Sequence, residues 1–581
     1  MNYTIIYMHY FFPETRHYLK WNIEPHIILP KDFCPVKEKL FPGDEINNAG
    51  KAEKSPYREK RNIPGVLVLT GKTYGTTGKG KSARKYYKCV PYDIRLPCIL
   101  IPYDDNRKTF SKHTVNIFVL FTIKCWENKH PEGVLSNVIG RVDISENFYE
   151  YELYCKNLFI PMRSFNKAAK NKTNNLNMGE HISILLKGGK CSNRKDRHIF
   201  SIDPEGTVDI DDAMGIITTK DALGEEVVII SIYIANVPQI LSILNLWREM
   251  TRRVSTIYLP NKKVSMLPTV LSEGIMSLKE GETRIAFAMD IHIKRNSVID
   301  VAYSNVIIDV TYSNVIINVA KNYVYDEKKL LVNKDYNDIL STTRKIIDYS
   351  KTNSIVSYVE TVEDSHDIVA YYMMMMNHMC GKELKKMEAG IYRSVTCDHS
   401  ESTGTNTPLP KDLKNFVNIW KNTHSEYTTY GKQKGHELIG GGIDVYAQIT
   451  SPIRRLVDVI NMSYIQMNMG LLDRTPEMAA VLETEGRMDS LNISMRNIRR
   501  VQTNCALLGY CGDASTDKMV DGYVVSYLEQ DKEYTIYIPL LKLITRIISD
   551  EKYEMHNKYR YSIHVFNEEN SLHKKIRLQF C

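Results

Sequence analysis

Apolar and polar positions alternate in short runs over much of this chain, with stretches of helical spacing between them, which predicts many strands and fewer helices. From Gly65 the runs GVLVLT, CILIP at 98–102 and NIFVLFTIKCW at 116–126 read as strands, and the strand-like pattern continues through VLSNVIGRV to Leu158. Short strands at that spacing suit a small antiparallel barrel. Residues 1–64 carry Pro, Lys and Glu with little sustained periodicity and read as short strands joined by loops. Residues 161–200 are polar and rich in Asn and Lys, and read as a connector at a domain boundary, ending in the basic SNRKDRH. VVIISIYIANV from Val227 is the pattern of a fully buried strand, with Asn236, Pro238 and Gln239 turning it into a helix. NLWREMTRRVSTIYLP from Asn245 reads as a helix followed by an extended exit that carries Tyr258.

Three further stretches have distinct periods. Residues 300–317 repeat DVAYSNVII as DVTYSNVII. The period of nine is odd, so a continuous strand would turn the second copy to the opposite face unless a bulge or turn intervenes; a hairpin or strand extension is expected. Residues 366–386, HDIVAYYMMMMNHMCGKELKK, have helical spacing, and their methionines suit a core better than a metal site. In TSPIRRLVDVINMSY at 450–464, Thr450 or Ser451 can cap, Pro452 suits a first helical position, and Ile453, Leu456, Val457, Ile460 and Tyr464 form one apolar stripe. That predicts a helix with Arg454 and Arg455 in its first turn, where the helix dipole disfavours cations, so an anion is expected beside them. A structural ion pair with Asp458 is the alternative.

At 581 residues the chain exceeds one core, and its net charge of +8 favours a polyanionic partner. Eleven cysteines include no CxxC pair, which argues against a zinc ribbon and a disulfide framework and fits a reducing, cytoplasmic compartment. The opening MNYTIIYMHYFF lacks the basic and apolar segments of a signal peptide, and no apolar window is long enough to span a membrane.

Charge is concentrated in two places. From Lys72 to Lys88 no acidic residue interrupts Lys72, Lys79, Lys81, Arg84, Lys85 and Lys88, which alternate with Tyr74, Tyr86 and Tyr87. Basic and aromatic side chains interleaved in this way suit a surface that tracks a nucleic-acid backbone and stacks its bases, and a solvated charged loop is the alternative. Inside this run Gly75 to Ser82, GTTGKGKS, matches the phosphate-loop pattern, which would make the chain an NTPase; the short interval before Pro91 leaves little room for the helix such a loop requires.

The second concentration is SIDPEGTVDIDDAMG at 201–215, with Asp203, Asp209, Asp211 and Asp212 within ten residues. Four carboxylates this close repel one another unless a cation sits among them, and hard oxygen donors suit Mg2+ or Mn2+ with substrate phosphate. A calcium loop counted from Asp209 fails, because Ala213, Met214 and Lys220 occupy its fifth, sixth and twelfth places.

The aspartate cluster together with TSPIRR resembles the RNB family, that of ribonuclease II and of the catalytic subunit of the eukaryotic RNA exosome. The linking RRVSTIYLPNKKVSMLPTVLSEGIMSLKEGETRIAF at 252–287 is similar to the family's stretch through YLP, MLP and SL. Upstream, YDIRLPCILIP, CWENKHPEG and VIGRV resemble a cold-shock barrel, and DGYVVSYLEQDKEYTIYIP resembles the start of a C-terminal OB-type barrel. The resemblance implies an α+β multidomain fold in which OB-fold barrels of cold-shock type flank a mixed α/β catalytic domain. Its divisions would be a partial or degenerate first cold-shock-like segment at 1–64, a second barrel at 65–185, the RNB domain at 186–510 and a degenerate OB-type barrel at 518–581.

The implied activity is 3′-to-5′ hydrolysis of single-stranded RNA to nucleoside 5′-monophosphates by a two-metal mechanism, with Mg2+ or Mn2+ as cofactor. Asp203, Asp209, Asp211 and Asp212 would hold metal, with Asp211 and Arg454 catalytic. Tyr258 would stack on the 3′-terminal base, and Arg455, Arg393, Lys79, Lys81, Arg84 and Lys85 would contact RNA. The chain departs from the family pattern at Asn236, at Ala370 and Tyr371 where glutamates are usual, and at Arg393-Ser394-Val395 where Arg-x-His is usual. An RNA-binding relative with little or no catalysis is the alternative to the enzyme. A monomer without stable exosome docking and without a membrane partner is expected.

Overall fold

The computed structural model describes residues 9–580 apart from 27–28, 31, 79–82, 105–113, 251–252, 297–303, 353–355, 398–412, 414–422, 438, 440–441, 484–486, 512–517, 530, 542 and 568–573. The chain is α+β and divides into two compact units: Met1–Phe159 with Leu259–Asn261 and Asn497–Cys581, and Ile160–Tyr258 with Lys262–Arg496. No helix of the described residues is long and apolar enough to cross a membrane.

In the first unit β1 (His9–Pro13), β2 (Trp21–Glu24), β3 (Glu45–Ile46) and β4 (Ala52–Lys54) form one small sheet in the order β2-β1-β3-β4. The next strands, β5 (Ile63–Val68), β6 (Lys85–Pro91), β7 (Ile99–Tyr103), β8 (Ile117–Cys125) and β9 (Glu132–Arg141), close a barrel in the order β5-β6-β7-β9-β8. Its parallel contact is between β7 and β9, the arrangement of an OB fold. Alternation along β8 explains the closure: Val119 and Phe121 enter the core shared with Leu67, Cys89, Ile99 and Ile101, while Phe118 faces outward.

The outward face is covered by a helix, Ser145–Cys155, where the sequence pattern suggested continued strand. Phe148, Tyr151 and Cys155 follow helical spacing and pack on Phe118, whose ring stacks on Tyr151 at 4.3 Å between centroids. The phosphate-loop-like stretch joins β5 to β6. Its Lys79 and Lys81 lie outside the described residues. Thr76 bridges Lys85, and the element that follows is β6, so a strand stands where a phosphate loop needs a helix N-terminus.

The second unit is built on a seven-stranded mixed sheet. Its strands are β10 (Ser192–Asn193), β11 (Phe200–Asp203), β12 (Asp212–Lys220), β13 (Glu226–Ala235), β16 (Thr283–Asn296), β17 (Ser304–Asn318) and β18 (Lys321–Val324), and the two-residue strands β14 (Ile257–Tyr258) and β15 (Lys263–Val264) form a separate ribbon. The order is β10-β17-β16-β13-β12-β11-β18. Both faces are buried, which is why β13 reads as a continuous apolar run. Tyr233 and Ala235 face a core that includes Phe165, Ile182, Ile240 and Val457, whereas Ile232 and Ile234 face one that includes Ile339, Ile347, Tyr372 and Met376.

Two helices, Arg163–Asn174 and Met178–Lys187, occupy what the sequence suggested was a connector. Arg163–Asn174 is polar because one narrow stripe, Phe165 with Ala169, meets the core, and Met178–Lys187 buries Ile182 and Leu185 there. The helix expected from Asn245 onward is reduced to a 3-10 turn at Trp247–Glu249. The helix lies earlier, at Val237–Ile243, because the Asn236 side chain accepts from Gln239 N–H at 3.2 Å and Pro238 fits its first turn. The expected helix over 366–386 is present as Ser365–Lys386, with Met375 and Met376 buried.

From Ser304 onward the tandem repeat lies on one long strand, β17, broken by a bulge; residues 300–303 lie outside the described residues. His292 faces Asp309 but Ile293 faces Ile307, so Ile308 is the extra residue at the junction of the two copies. Ser304 therefore faces Asn296 and Ser313 faces Ala288, eight positions apart on β16, and the copies share one face. Also in the first unit, β21 (Lys518–Leu528), β22 (Glu533–Ile538), β23 (Leu543–Ile548), β24 (Lys558–Asn567) and β25 (Lys574–Phe580) form an antiparallel sheet in the order β23-β22-β21-β24-β25. That is the order of the five-stranded barrel opened between its third and fifth strands.

Candidate active site

β11 ends on Asp203 and β12 begins on Asp212, so the antiparallel pair delivers two carboxylates to one end of the central sheet. The loop between them is tied down by Ser277, whose hydroxyl accepts from Ile210 N–H at 3.0 Å and donates to Val208 carbonyl at 2.9 Å. Ala235 N–H also donates to Asp211 carbonyl at 2.8 Å. These bonds fix where Asp209 and Asp211 emerge.

The four aspartates line one cleft, together with Tyr258, Lys263, Glu273, Tyr325, Arg454 and Arg455. Their surroundings differ. Asp211 is buried, and its Oδ1 accepts Ile453 N–H at 2.9 Å while Oδ2 accepts Arg454 Nε at 3.1 Å. Burial pushes its carboxyl up to about 7 against the pull of Arg454. Asp209 Oδ1 accepts Lys263 Nζ at 2.9 Å. Asp203 accepts the Ser201 hydroxyl at 2.7 Å and is pushed up to about 6 by burial, with the Asp209 charge adding to it. Asp212 is raised well above the usual carboxylate range, first by burial and then by Asp203 and Asp211.

The donor set suits a hard divalent cation at Asp203 and Asp212. Among the described residues no lysine or arginine is paired with either, and each is destabilised as an anion by burial and like charge. Magnesium takes one or two carboxylates and completes its shell with water and phosphate. Among the described residues no group of three or more His, Cys, Asp or Glu side chains is arranged to hold a metal ion.

The segment Ser451–Arg455 forms turns, and its helix starts only at Leu456, so Arg454 and Arg455 precede the first helical turn in which the sequence placed them. The backbone donors are captured by carboxylates instead: Asp458 Oδ1 accepts Ser451 N–H at 2.8 Å, and Asp211 accepts that of Ile453. Arg454 carbonyl accepts Thr256 N–H at 2.9 Å, which joins this turn to the strand carrying Tyr258. The Arg454 side chain, 46% exposed, is open to the cleft. Arg455 Nη2 is paired instead with the fully buried Asp458 at 2.7 Å, the structural ion pair that the sequence left as the alternative.

The aromatic ring of Tyr258 is 43% exposed on the cleft wall. Arg393 lies on β19 (Ile391–Cys397), and its guanidinium packs over the ring of Tyr427 on the paired strand β20 (Thr423–Thr429) at 4.8 Å; it does not line the cleft. Lys85 opens β6 in the other unit, and Arg84 precedes it in the loop. Asn236 is absorbed in a buried amide ring: it donates to Asn314 at 2.8 Å and accepts from Gln466 at 3.0 Å, and Asn314 donates to Gln466 at 3.2 Å. A neutral side chain fits such a ring, and the departure from the family's aspartate leaves the cleft untouched. The helix Ser365–Lys386 presents Val369, Met373 and Asn377 to the cleft, not Ala370 or Tyr371.

Lys263, Glu273, Tyr325 and Gln448 are cleft residues that the sequence did not single out. Lys263 could have been found by the cation it adds next to an aspartate cluster once β14 and β15 are paired; the others carry no local signal.

Residues 193–470 match the RNB domain family. Over 295 residues the chain is 28% identical to exosome complex exonuclease RRP44 of Homo sapiens, covering 47% of this chain and 29% of that protein. Over 320 residues it is 32% identical to ribonuclease R of Mycoplasmopsis pulmonis, covering 46% and 43%. The matched stretch is thus less than half of each relative's length. Among solved structures, Mycoplasma genitalium RNase R in complex with ribose-methylated single-stranded RNA shares the fold with a TM-score of 0.62 at 13% identity, covering 96% of this chain and 97% of that one. Yeast Ssd1, described as a pseudonuclease, has a TM-score of 0.56 at 14% identity, covering 87% and 66%. Residues 193–470, which hold every cleft residue from Ile202 to Arg455, therefore match an RNB domain.

Proposed function

We propose that this chain is a 3′-to-5′ exoribonuclease that hydrolyses single-stranded RNA to nucleoside 5′-monophosphates with Mg2+ or Mn2+. The observation that carries this reading is the convergence of Asp203, Asp212, the Asp211–Arg454 pair and an exposed Tyr258 ring in one cleft of an RNB domain. Tyr258 stacks the terminal base, and the open side of Arg454 meets the scissile phosphate. Asp211 holds that guanidinium in place through Nε. A divalent ion bound at Asp203 and Asp212 would lower the pKa of the attacking water and offset phosphate charge. The two-metal form of the reaction needs a second ion at Asp209 or Asp211, both of which already hold a cationic side chain.

A second reading, an RNA-binding relative with little catalysis, is favoured by the cleft face of the helix Ser365–Lys386, which offers Val369, Met373 and Asn377 and no carboxylate. Incubation of 5′-labelled single-stranded RNA with the protein and Mg2+ separates the two. Stepwise shortening with mononucleotide release is the expected result; intact RNA that shifts in a gel would establish the second reading.

A further inference from the structure

Lys263 carries a positive charge into the aspartate cluster from a strand whose register fixes its direction. In the β14–β15 ribbon Lys263 is the direct partner of Tyr258, and residues opposite one another in antiparallel strands leave on the same face. Both line the cleft. The ammonium lies between two carboxylates, 2.9 Å from Asp209 Oδ1 and 2.8 Å from Glu273 Oε1, with the lysine side chain only 21% exposed. Glu273 also anchors the ammonium, so the contact with Asp209 does not depend on a freely rotating surface lysine. A divalent ion at the same Asp209 oxygen would have to displace the ammonium and then sit beside it.

Arg454 does the equivalent at Asp211, where Nε and the Ile453 N–H already engage both carboxylate oxygens. The four aspartates therefore fall into two classes: Asp209 and Asp211 are neutralised by the chain's own cations, and Asp203 and Asp212 are not. We propose that Lys263 is a resident cation of this site that takes the place of a second divalent ion at Asp209, so that the cleft binds one divalent ion, on Asp203 and Asp212. This deepens the proposed nuclease reading and rests on its divalent-ion requirement.

The test is Mn2+ binding to the full chain without RNA, with free Mn2+ read by its paramagnetic resonance signal. Wild type is expected to bind one equivalent. Asp212→Asn should lose it, and Asp209→Asn should keep it. Lys263→Met, which retains the stem and removes the charge, should bind a second equivalent, and Lys263→Arg should stay at one. Two equivalents on wild type, none on wild type, loss of the equivalent in Asp209→Asn, or a folded Lys263→Met that stays at one would each overturn the proposal. If Lys263→Met does not fold, the wild-type and Asp209→Asn stoichiometries decide. Because RNA is absent, a protein that binds one Mn2+ in this pattern yet leaves RNA intact fails the nuclease reading and keeps this one.

Discussion

Arg454 Nε donates to Asp211 Oδ2 at 3.1 Å, and the two residues are 243 positions apart in the chain. Nη2 also donates to the Ser451 hydroxyl at 3.0 Å, and the side chain held in this way stays 46% exposed. Asp211→Asn keeps an oxygen for the Ile453 N–H but gives up the charge that holds Arg454. Single-turnover cleavage at saturating Mg2+ is expected to fall by about 10²–10³, the range for losing one preorganised electrostatic contact. RNA affinity should hold or rise, since a negative charge leaves the neighbourhood of a polyanion. Arg454→Ala should lower cleavage and also weaken 3′-end binding, because its charge meets phosphate before and during reaction. Cleavage by Asp211→Asn at the wild-type rate would remove Asp211 from the machinery.

Tyr258 is expected to act through its ring. Tyr258→Ala should weaken binding of a short RNA by roughly 1–3 kcal/mol, the range for one base stacked on an aromatic side chain. Tyr258→Phe should change it little. Equal losses in the two variants, measured by fluorescence anisotropy, would transfer the role to the hydroxyl.

The aspartates and Arg454 were legible in the sequence because charge concentrated among apolar residues has few structural uses, whereas Lys263 became visible only through its pairing with Tyr258 across the β14–β15 ribbon. The same limit explains the misplaced helix start. Ser451 and Pro452 look like a cap and a first turn, but Asp458 and Asp211 take the N–H groups of Ser451 and Ile453 and hold the segment outside the helix. The helix at Arg163–Asn174 was hidden by its polar composition, since a helix that buries one stripe can be polar everywhere else. The odd period of the repeat, by contrast, stated its own condition, and the bulge at Ile308 meets it.

The basic run of the barrel gives a salt-dependence test. Lys85 begins β6, and Lys79, Lys81 and Arg84 precede it in the sequence. If all four contact phosphate, replacing them with Ala should flatten the slope of log K against log salt by up to about 3, at roughly 0.7 per phosphate contact on a single strand. A variant that binds RNA more weakly with an unchanged slope would show that the run acts by shape and not by charge.

The last prediction concerns pH. His378 is buried, its Nδ1 lies 2.9 Å from the Tyr358 hydroxyl, and burial brings its pKa down to about 4, with Lys382 adding to the effect and Asp444 opposing it. A histidine whose folded pKa lies below its unfolded value binds fewer protons when folded, so its contribution is present at neutral pH and is lost as pH falls from about 6.5 through 4. The raised carboxyls of Asp203 and Asp211 act in the opposite sense in metal-free protein, favouring the folded state as pH falls. The histidine term is therefore read as a difference between two proteins. His378→Asn retains an oxygen for Tyr358 and cannot be protonated. Between pH 7 and pH 4 wild type should lose roughly 2–3 kcal/mol more stability than this variant, as measured by urea unfolding at each pH. Parallel pH profiles for the two proteins would mean that His378 charges as readily in the folded chain as in the unfolded one, and that its burial carries no proton linkage.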